Sequence, residues 1–271
     1  MSHDVLAALI LGALEGFTEF LPVSSTGHLI LADELLGFTG PASKLFDVVI
    51  QLGAILAVCW EYRARLWGAV MGLPSDARAR RFAFNVILAF LPAAVVGAFA
   101  YKFIKAVLFS PWVVAVSLIV GGLVIIVVER LFEREDTAPT DREIEEISYG
   151  TAFGIGLCQL LAMIPGVSRA GATILGAVAL GVPRRAATEF SFFLAIPTMF
   201  GAASYDLYKN HAAISAADAL AIAVGFVVSF FAALIVIRWF IAYVAHHRFT
   251  VFAWYRIALG AAALALLFAA R

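Results

Sequence analysis

Charged residues are scarce in this sequence. They make up only 14% of its 271 residues, whereas 63% are hydrophobic. An ordinary soluble domain has about 25% charged residues. With a mean hydropathy of +0.97, the apolar side chains cannot all be buried in one soluble core, so we expect most of them to face lipid. The formal net charge is +0, which leaves no basic surface for nucleic acid, and we expect no nucleic-acid partner.

Cysteine is nearly absent as well. The two thiols, Cys59 and Cys158, lie in separate apolar runs without the spacing of metal ligands, and we expect them to be buried and unreactive. The first four residues lack the basic segment that opens a cleavable signal peptide, and Glu15 and Glu19 interrupt the apolar run that follows. We therefore expect no cleaved signal peptide.

Long apolar runs are abundant. A helix that crosses the hydrocarbon core needs about 20 mostly apolar residues. Six stretches approach this length, namely 45–62, 83–103, 110–130, 187–206, 217–241 and 250–270. Four others are shorter and polar at one end, namely 5–21, 23–37, 149–164 and 170–182. They form two pairs, and each pair is joined by a break rich in proline, glycine and serine.

Each short pair is interpreted as a re-entrant helical hairpin that enters and leaves the membrane on one side. Irregular backbone at membrane depth is tolerated only where protein buries it or where it lines a wet cavity. The alternative is two ordinary crossings joined by a loop outside the membrane. The shortness of the arms favours the re-entrant hairpin.

The two halves of the chain repeat one pattern. Pro22 is followed three residues later by Ser25, and Pro165 is followed three later by Ser168, an offset of 143 residues. Each half thus predicts a hairpin followed by three crossings. Because three is odd, the second half begins on the opposite side of the membrane. Inverted repeats of this kind place binding sites near the midplane, where broken helices meet.

The sequence therefore predicts an all-α integral membrane protein with six full transmembrane helices plus two re-entrant helical hairpins in inverted-topology repeats. The first repeat spans 1–130, a cytoplasmic linker spans 131–148 and the second repeat spans 149–271, all in one membrane domain. Several arginines lie in the loop expected at 63–82, and the positive-inside rule places this loop and the solvated linker in the cytoplasm. The first hairpin then enters from outside and the second from the cytoplasm.

Two acidic residues lie within the first short arm. Glu15 and Glu19 are four residues apart, so they project from the same face of a helix. Two carboxylates this close within an apolar arm repel each other. A divalent cation, a nearby arginine or a shared proton would relieve the repulsion. Ionisable residues inside a membrane are functional candidates, and the alternative is a structural ion pair with Arg169.

The break after Pro22 is rich in hydroxyl groups. Ser24, Ser25, Thr26 and Gly27 could present backbone N–H groups to an anion. His28 lies three residues after Ser25, close enough on a helical turn to act as its base or relay. Such residues also cap helices, so the run alone is weak evidence.

Arg169 occupies the facing position in the second break. An arginine at membrane depth needs a partner, and its planar fork fits a phosphate or a carboxylate. Together with Ser168 and Thr173 it would hold phosphate groups. Carboxylates, hydroxyls, an imidazole and a guanidinium in one place suggest phosphoryl chemistry.

These residues resemble a known family. Residues 15–28, EGFTEFLPVSSTGH, closely resemble the acidic first motif of undecaprenyl pyrophosphate phosphatases, and residues 165–173, PGVSRAGAT, resemble their second motif. The family usually has serine where this chain has Ala170, which casts little doubt on Arg169. The resemblance covers essentially the whole chain in length, topology and motif position.

The resemblance implies a multi-pass enzyme of the bacterial inner (cytoplasmic) membrane, and we expect its active site to open toward the outer side. It would hydrolyse undecaprenyl pyrophosphate to the monophosphate carrier of cell-wall synthesis, would require Mg²⁺ or Ca²⁺, and would protect against bacitracin. We predict that the catalytic residues are Glu15, Glu19, Ser25, His28 and Arg169. We predict that phosphate is bound by Ser24, Thr26, Gly27, Ser168, Thr173 and Arg169, and the metal by Glu15 and Glu19.

Several alternatives stay open at the level of sequence. The nucleophile is Ser25 with His28 as its base, a metal-activated water, or His28 itself. Inverted repeats also suit a transporter that flips a polyprenyl phosphate lipid. The pair Gly121 and Gly122 suits packing within one chain or between the chains of a homodimer. Arg238 and Arg256 are expected to reach the membrane surface or to pair.

Overall fold

The computed structural model describes residues 3–38, 41–108, 110–132, 144–210 and 219–269. Within these ranges all regular structure is helical. Two single 3₁₀ turns, Ile144–Glu146 and Leu160–Met163, accompany the α-helices. The α-helices are α1 (His3–Thr18), α2 (Ser25–Leu36), α3 (Pro41–Glu61), α4 (Arg63–Gly72), α5 (Ala77–Val107), α6 (Pro111–Leu131), α7 (Tyr149–Gln159), α8 (Arg169–Ala179), α9 (Arg184–Asn210), α10 (Ala219–Val244) and α11 (Thr250–Ala269).

Five of these helices, α5, α6, α9, α10 and α11, are long and apolar enough to cross a membrane. A sixth span results if α3 and α4 count as one, although they are bent by 71° at the break between them. The all-helical, multi-pass membrane class predicted from composition is therefore confirmed. Within the described residues, each predicted crossing and each short arm overlaps a helix.

The segment 63–82 is not the loop that its arginines suggested. It contains α4 and the start of α5, which begins at Ala77. No described residue of α4 is buried, and Trp67 and Met71 are 68% and 61% exposed. A short helix that carries arginines beside exposed apolar side chains is typical of a helix in the membrane interface, and charge counting alone does not distinguish it from a loop.

The end of the expected linker, residues 144–148, is packed rather than solvated. Ile144 and Ile147 are buried. Asn85 Nδ2 donates to Ile147 O at 2.8 Å, and Arg65 forms an ion pair with Glu145 at 2.5 Å. The prediction of a solvated linker is wrong for this part, because its isoleucines pack against the membrane domain. Residues 133–143 of the linker lie outside the described residues.

Both hairpin breaks have the same backbone geometry. Ser24 and Ser168 have φ values of 72° and 76° and are the only residues other than glycine with positive φ in the described ranges. Each caps the helix that follows: Ser24 Oγ accepts from Gly27 N at 3.3 Å and Ser168 Oγ from Gly171 N at 3.0 Å. Ser168 therefore corresponds to Ser24. The pairing of Ser168 with Ser25, made from proline spacing, is wrong by one residue.

Helices of the first half pack against helices of the second half. α1 packs along α10 while α7 packs along α5, and α3 packs against α9. The α6–α11 contact is reciprocal. A Cβ on Gly122 would lie 2.7 Å from Ala253 O, and one on Gly260 would lie 2.7 Å from Ala115 O. Gly122 is therefore needed for packing within the chain, and reciprocity of this kind is typical of a two-fold relation.

Candidate active site

A cavity of about 520 Å³ lies between the two hairpin breaks and helices α5 and α9. Small apolar residues of α5 and α9 form much of its wall, and it extends to Tyr205 and Asp206 near the end of α9. The predicted site residues on its wall are Glu19, Ser24, Ser25, Thr26, Ser168 and Arg169. The remaining four, Glu15, Gly27, His28 and Thr173, lie behind this wall.

Glu19 connects the two hairpins. Ser25 Oγ donates to Glu19 Oε2 at 2.5 Å, and Arg169 Nη2 donates to Glu19 Oε1 at 3.0 Å. The structure thus brings together a hydroxyl and a carboxylate from one hairpin and a guanidinium from the other. A carboxylate bonded to a hydroxyl in this way can accept its proton as a general base.

Arg169 is held in place from the side of α9 and by its own helix. Its Nη1 donates to Ser191 O at 2.9 Å, and its guanidinium lies 5.7 Å from the ring centroid of Phe20. Thr173 Oγ1 donates to Arg169 O at 2.9 Å and is 2.6 Å from Ser191 Oγ. Thr173 therefore contacts the main chain of Arg169 and the hydroxyl of Ser191, not the guanidinium. Arg169 Nε is buried without a hydrogen-bond partner, so the fork retains a donor for a ligand.

His28 does not bond to Ser25. Its Nδ1 lies 2.7 Å from Ser24 O, which can only accept, so Nδ1 carries the proton. Its Nε2 then accepts from Tyr255 Oη at 2.6 Å. Side chains on a helix lean toward its N-terminus, and the ring accordingly reaches back to the carbonyl four residues earlier. The base adjacent to Ser25 is Glu19, not the predicted His28.

Glu15 is fully buried one turn before Glu19. No donor group bonds to either of its carboxylate oxygens, and the carboxyl group of Glu19 is close enough to share a proton with it. An isolated buried carboxylate is costly unless a proton or a cation accompanies it. A Mg²⁺ ion commonly takes one or two protein carboxylates and completes its shell with phosphate oxygens and water, and Glu15 and Glu19 fit that donor set. Among the described residues, no group of three or more His, Cys, Asp or Glu side chains is placed to hold a metal ion.

Two helix N-termini reach the same cavity. α2 starts at Ser25 and α8 starts at Arg169, and both residues lie on the cavity wall. The first N–H groups of a helix have no partner within it and carry part of the positive end of the helix dipole. Gly27 N is already bonded to Ser24 Oγ, so the donors left to an anion come from the residues just before it.

Four residues near the site were missed or assigned elsewhere by sequence reasoning. Ser191 and Tyr255 carry no sequence signal. Gln159 lies on the cavity wall. It follows Glu15 by 144 residues, the same offset that separates Ser24 from Ser168, so the repeat in its correct register would have identified it. Arg256 does not reach the membrane surface, because it is only 1% exposed. Arg238 does pair as expected, with Glu61 at 2.8 Å.

The comparisons with known proteins agree on one family. Residues 8–262 match the family model described as Bacitracin resistance protein BacA. The chain is 56% identical to "Undecaprenyl-diphosphatase 2" of Paramagnetospirillum magneticum, over 94% of this chain and 96% of the relative. It is 54% identical to "Undecaprenyl-diphosphatase" of Rhizorhabdus wittichii over 99% and 100%, and 54% identical to that of Methylococcus capsulatus over 95% and 93%.

Proposed function

The chain belongs to the bacitracin resistance protein BacA family, and on that premise we propose that it hydrolyses undecaprenyl pyrophosphate to undecaprenyl phosphate and inorganic phosphate. The observation that carries the proposal is the carboxylate of Glu19, which bonds to Ser25 of one hairpin and Arg169 of the other on the wall of one cavity. The reaction would recycle the lipid carrier of cell-wall synthesis. It would also oppose bacitracin, which sequesters the pyrophosphate form.

The pyrophosphate binds at the hairpin tips. The N-termini of α2 and α8 and the guanidinium of Arg169 provide positive potential from both halves of the chain. Arg169 Nε, buried and unpartnered, donates to a phosphate oxygen in addition to the bond that Nη2 makes with Glu19. The lipid substrate thus bridges the two repeats.

Ser25 is the nucleophile and Glu19 its base. Ser25 Oγ attacks the terminal phosphorus while its proton passes to Glu19 Oε2, and the bond from that phosphorus to the bridging oxygen breaks. Undecaprenyl phosphate leaves with the bridging oxygen. Glu19 passes the proton it took from Ser25 to the departing undecaprenyl phosphate and is a carboxylate again. It then takes a proton from a water that attacks the phosphoserine, and it returns this proton to Ser25 Oγ as the bond from phosphorus to Oγ breaks and inorganic phosphate is released. The 2.5 Å bond between Ser25 and Glu19 supports this order of roles.

Glu15 and Glu19 are the residues that would hold a divalent cation, Mg²⁺ or Ca²⁺. When bound, the cation supplies neutralising charge to the phosphate oxygens. The buried and unpartnered carboxylate of Glu15 supports this assignment, and the small number of protein ligands favours Mg²⁺.

The prenyl tail leaves the cavity between α5 and α9. The wall there consists of small apolar residues, Ala93, Ala94, Gly97, Ala98, Gly201 and Ala202. Their short side chains leave room for a hydrocarbon chain to run from the hairpin tips to lipid. Tyr205 and Asp206 mark the end of the cavity that the pyrophosphate enters, on the outer side of the membrane.

The proposed topology is six full crossings plus two re-entrant hairpins in inverted repeats, within the bacterial inner membrane. The matching geometry of Ser24 and Ser168 and the reciprocal α6–α11 contact support it. In a variant without native cysteines, we expect Glu34→Cys to react with an impermeant thiol reagent from outside whole cells. Ser75→Cys should react only after the membrane is opened. Both residues are exposed, so labelling of the two from the same side would contradict the inverted arrangement.

Phosphate release from undecaprenyl pyrophosphate by the purified protein in detergent is the direct test. We expect release with Mg²⁺, and its loss in the presence of a chelator with recovery when Mg²⁺ is restored in excess. A protein that is folded by thermal unfolding yet releases no phosphate in Mg²⁺ or Ca²⁺ would contradict the phosphatase. That outcome would favour the flippase, for which transfer of labelled lipid phosphate across vesicles is the corresponding assay.

A further inference from the structure

Arg256 is a buried cation at the centre of the fold. It lies in the middle of α11 and is 1% exposed, although an arginine at membrane depth ordinarily reaches water or an acidic partner. Its hydrogen-bond partners among the described residues are all backbone carbonyls. The guanidinium is therefore used to hold the main chain.

The carbonyls that it holds belong to both hairpin breaks. Arg256 Nη1 donates to Pro22 O at 3.0 Å and to Val167 O at 2.9 Å, and Nη2 donates to Gly166 O at 2.8 Å. Pro22 and Gly166 each precede a capping serine by two residues, so they are equivalent positions of the repeat. One side chain from the second half thus joins both tips.

The same guanidinium is anchored on α6. Nη2 donates to Ser117 O at 3.1 Å and Nε to Leu118 O at 3.4 Å. A Cβ on Gly121 would lie 2.0 Å from Nη2, so glycine is required there for the guanidinium to keep its position. These contacts fix the position of the Arg256 guanidinium, and the carbonyl groups of the two breaks that it binds are held in place with it.

The bond to Val167 O has a consequence for the cavity. In a planar trans peptide the carbonyl and the following N–H point in opposite directions. Because Arg256 draws Val167 O toward itself, the N–H of Ser168 points away from Arg256. Ser168 and Gly166 both lie on the cavity wall, whereas Arg256 does not. Arg256 therefore affects the cavity indirectly, because it fixes the orientation of peptide groups that lie on the cavity wall.

We infer that Arg256 is a positioning residue that sets the spacing of the two hairpin tips and orients the N–H of Ser168 toward the substrate's phosphates. The N–H groups that follow Pro22 O and Gly166 O are bonded within the tips, to Leu21 O and Ile164 O, so Ser168 N–H is the donor that this arrangement leaves to a ligand. Pyrophosphate needs both tips at once, because Ser25 and Glu19 come from one and Arg169 from the other. The charge of Arg256 adds positive potential behind the two helix N-termini. The inference deepens the proposed hydrolysis of a lipid pyrophosphate and rests on it.

The first test replaces the side chain itself. We expect Arg256→Met to lower kcat by at least about 100-fold, the usual effect of a lost or misplaced backbone donor. Arg256→Lys keeps the charge but has a single nitrogen, so it should lower kcat by about 10-fold. A misplaced backbone donor affects the transition state more than the bound substrate, so KM should change by less than about threefold. A folded Arg256→Met protein with the kcat of the wild type would overturn the inference.

Two neighbouring glycines give a matched pair in which the arginine is unchanged. Gly121→Ala places a methyl group against the guanidinium, while Gly122→Ala places one against Ala253 O and Ile257. Both substitutions disturb the α6–α11 contact, but only the first displaces Arg256. We expect Gly121→Ala to lower kcat per folded molecule by about 10-fold or more and Gly122→Ala to lower the thermal unfolding temperature with kcat retained. Equal kcat values would show a structural role only, even if Arg256→Met failed to fold.

A binding measurement separates this inference from the proposed reaction. Inorganic pyrophosphate with Mg²⁺ should raise the unfolding temperature of the wild type and of Gly122→Ala, and have less effect on Gly121→Ala. If the wild type releases no phosphate, the proposed reaction fails, and the thermal shift alone decides whether Arg256 organises an anion site. The same shift in all three proteins would overturn that role.

Discussion

Glu19→Gln is expected to lower kcat for phosphate release by about 10³-fold, within the range for loss of a general base. The amide retains an oxygen that can accept from Ser25, but it cannot take the proton. The substitution also removes the negative charge of Glu19, which forms an ion pair with Arg169 at 3.0 Å. The substitution is nearly isosteric, so the cavity should keep its shape, and kcat and KM for undecaprenyl pyrophosphate are the quantities to measure.

The double variant tests whether Glu19 and Ser25 act as a unit. Ser25→Ala should reduce kcat by a similar factor, and combining it with Glu19→Gln should add little, since residues that act together are non-additive. Glu61→Gln is the matched control, because Glu61 also pairs with an arginine, Arg238, but away from the cavity. It should keep full activity. Activity retained in Ser25→Ala but lost in Glu19→Gln would indicate that a water, not Ser25, attacks the phosphorus.

Arg169→Ala is expected to have the second large effect, a fall in kcat/KM of about 10³-fold or more, as for loss of an arginine that stabilises a transferring phosphoryl group. It removes the guanidinium of the second hairpin that bonds to Glu19. The variant also leaves Glu19 buried without its ionic partner, which costs about 3–5 kcal/mol of stability in typical buried pairs. Activity must therefore be normalised to the folded fraction, measured by thermal unfolding in the same detergent.

Arg169→Lys separates charge from geometry. Lysine keeps the positive charge but cannot hold Ser191 O, Glu19 and a phosphate with one planar fork. We expect it to recover stability while kcat/KM stays about 100-fold low. Arg238→Lys, at an ion pair remote from the cavity, is the control. Full activity in Arg169→Lys would show that Arg169 supplies charge alone and that the geometry of its guanidinium is not required.

Some features of the site follow from local sequence. Glu15 and Glu19 are one turn apart on an apolar arm, and the glycine- and serine-rich breaks at 22–27 and 165–171 interrupt short helices. Local spacing and backbone preference are sufficient for such features, because a break needs only residues that end one helix and cap the next. The short arms and the wall residues contributed by the two breaks were predictable for this reason, whereas the wall residues of α5 and α9 were not.

The errors have a common cause. His28 was assigned to Ser25 because the two are three residues apart, but its ring bonds to Ser24 O and to Tyr255, 227 residues away along the chain. The sequence predicts that Arg256 reaches the membrane surface or pairs, but its partners are backbone carbonyls of α6 and of both breaks. Neither partner set can be deduced from neighbouring residues.

The sequence by itself determined the membrane class, the approximate positions of the apolar helices and of the two breaks, and the residue types that reach membrane depth, since these depend on composition and on contacts within a few residues. The tertiary structure alone decided which groups meet. Glu19 and Arg169 are 150 residues apart, and Arg256 and Pro22 are 234 apart. Such pairs form because buried charges and freed carbonyls in an apolar interior must find partners, and only the packing of the two halves determines which partners are within reach.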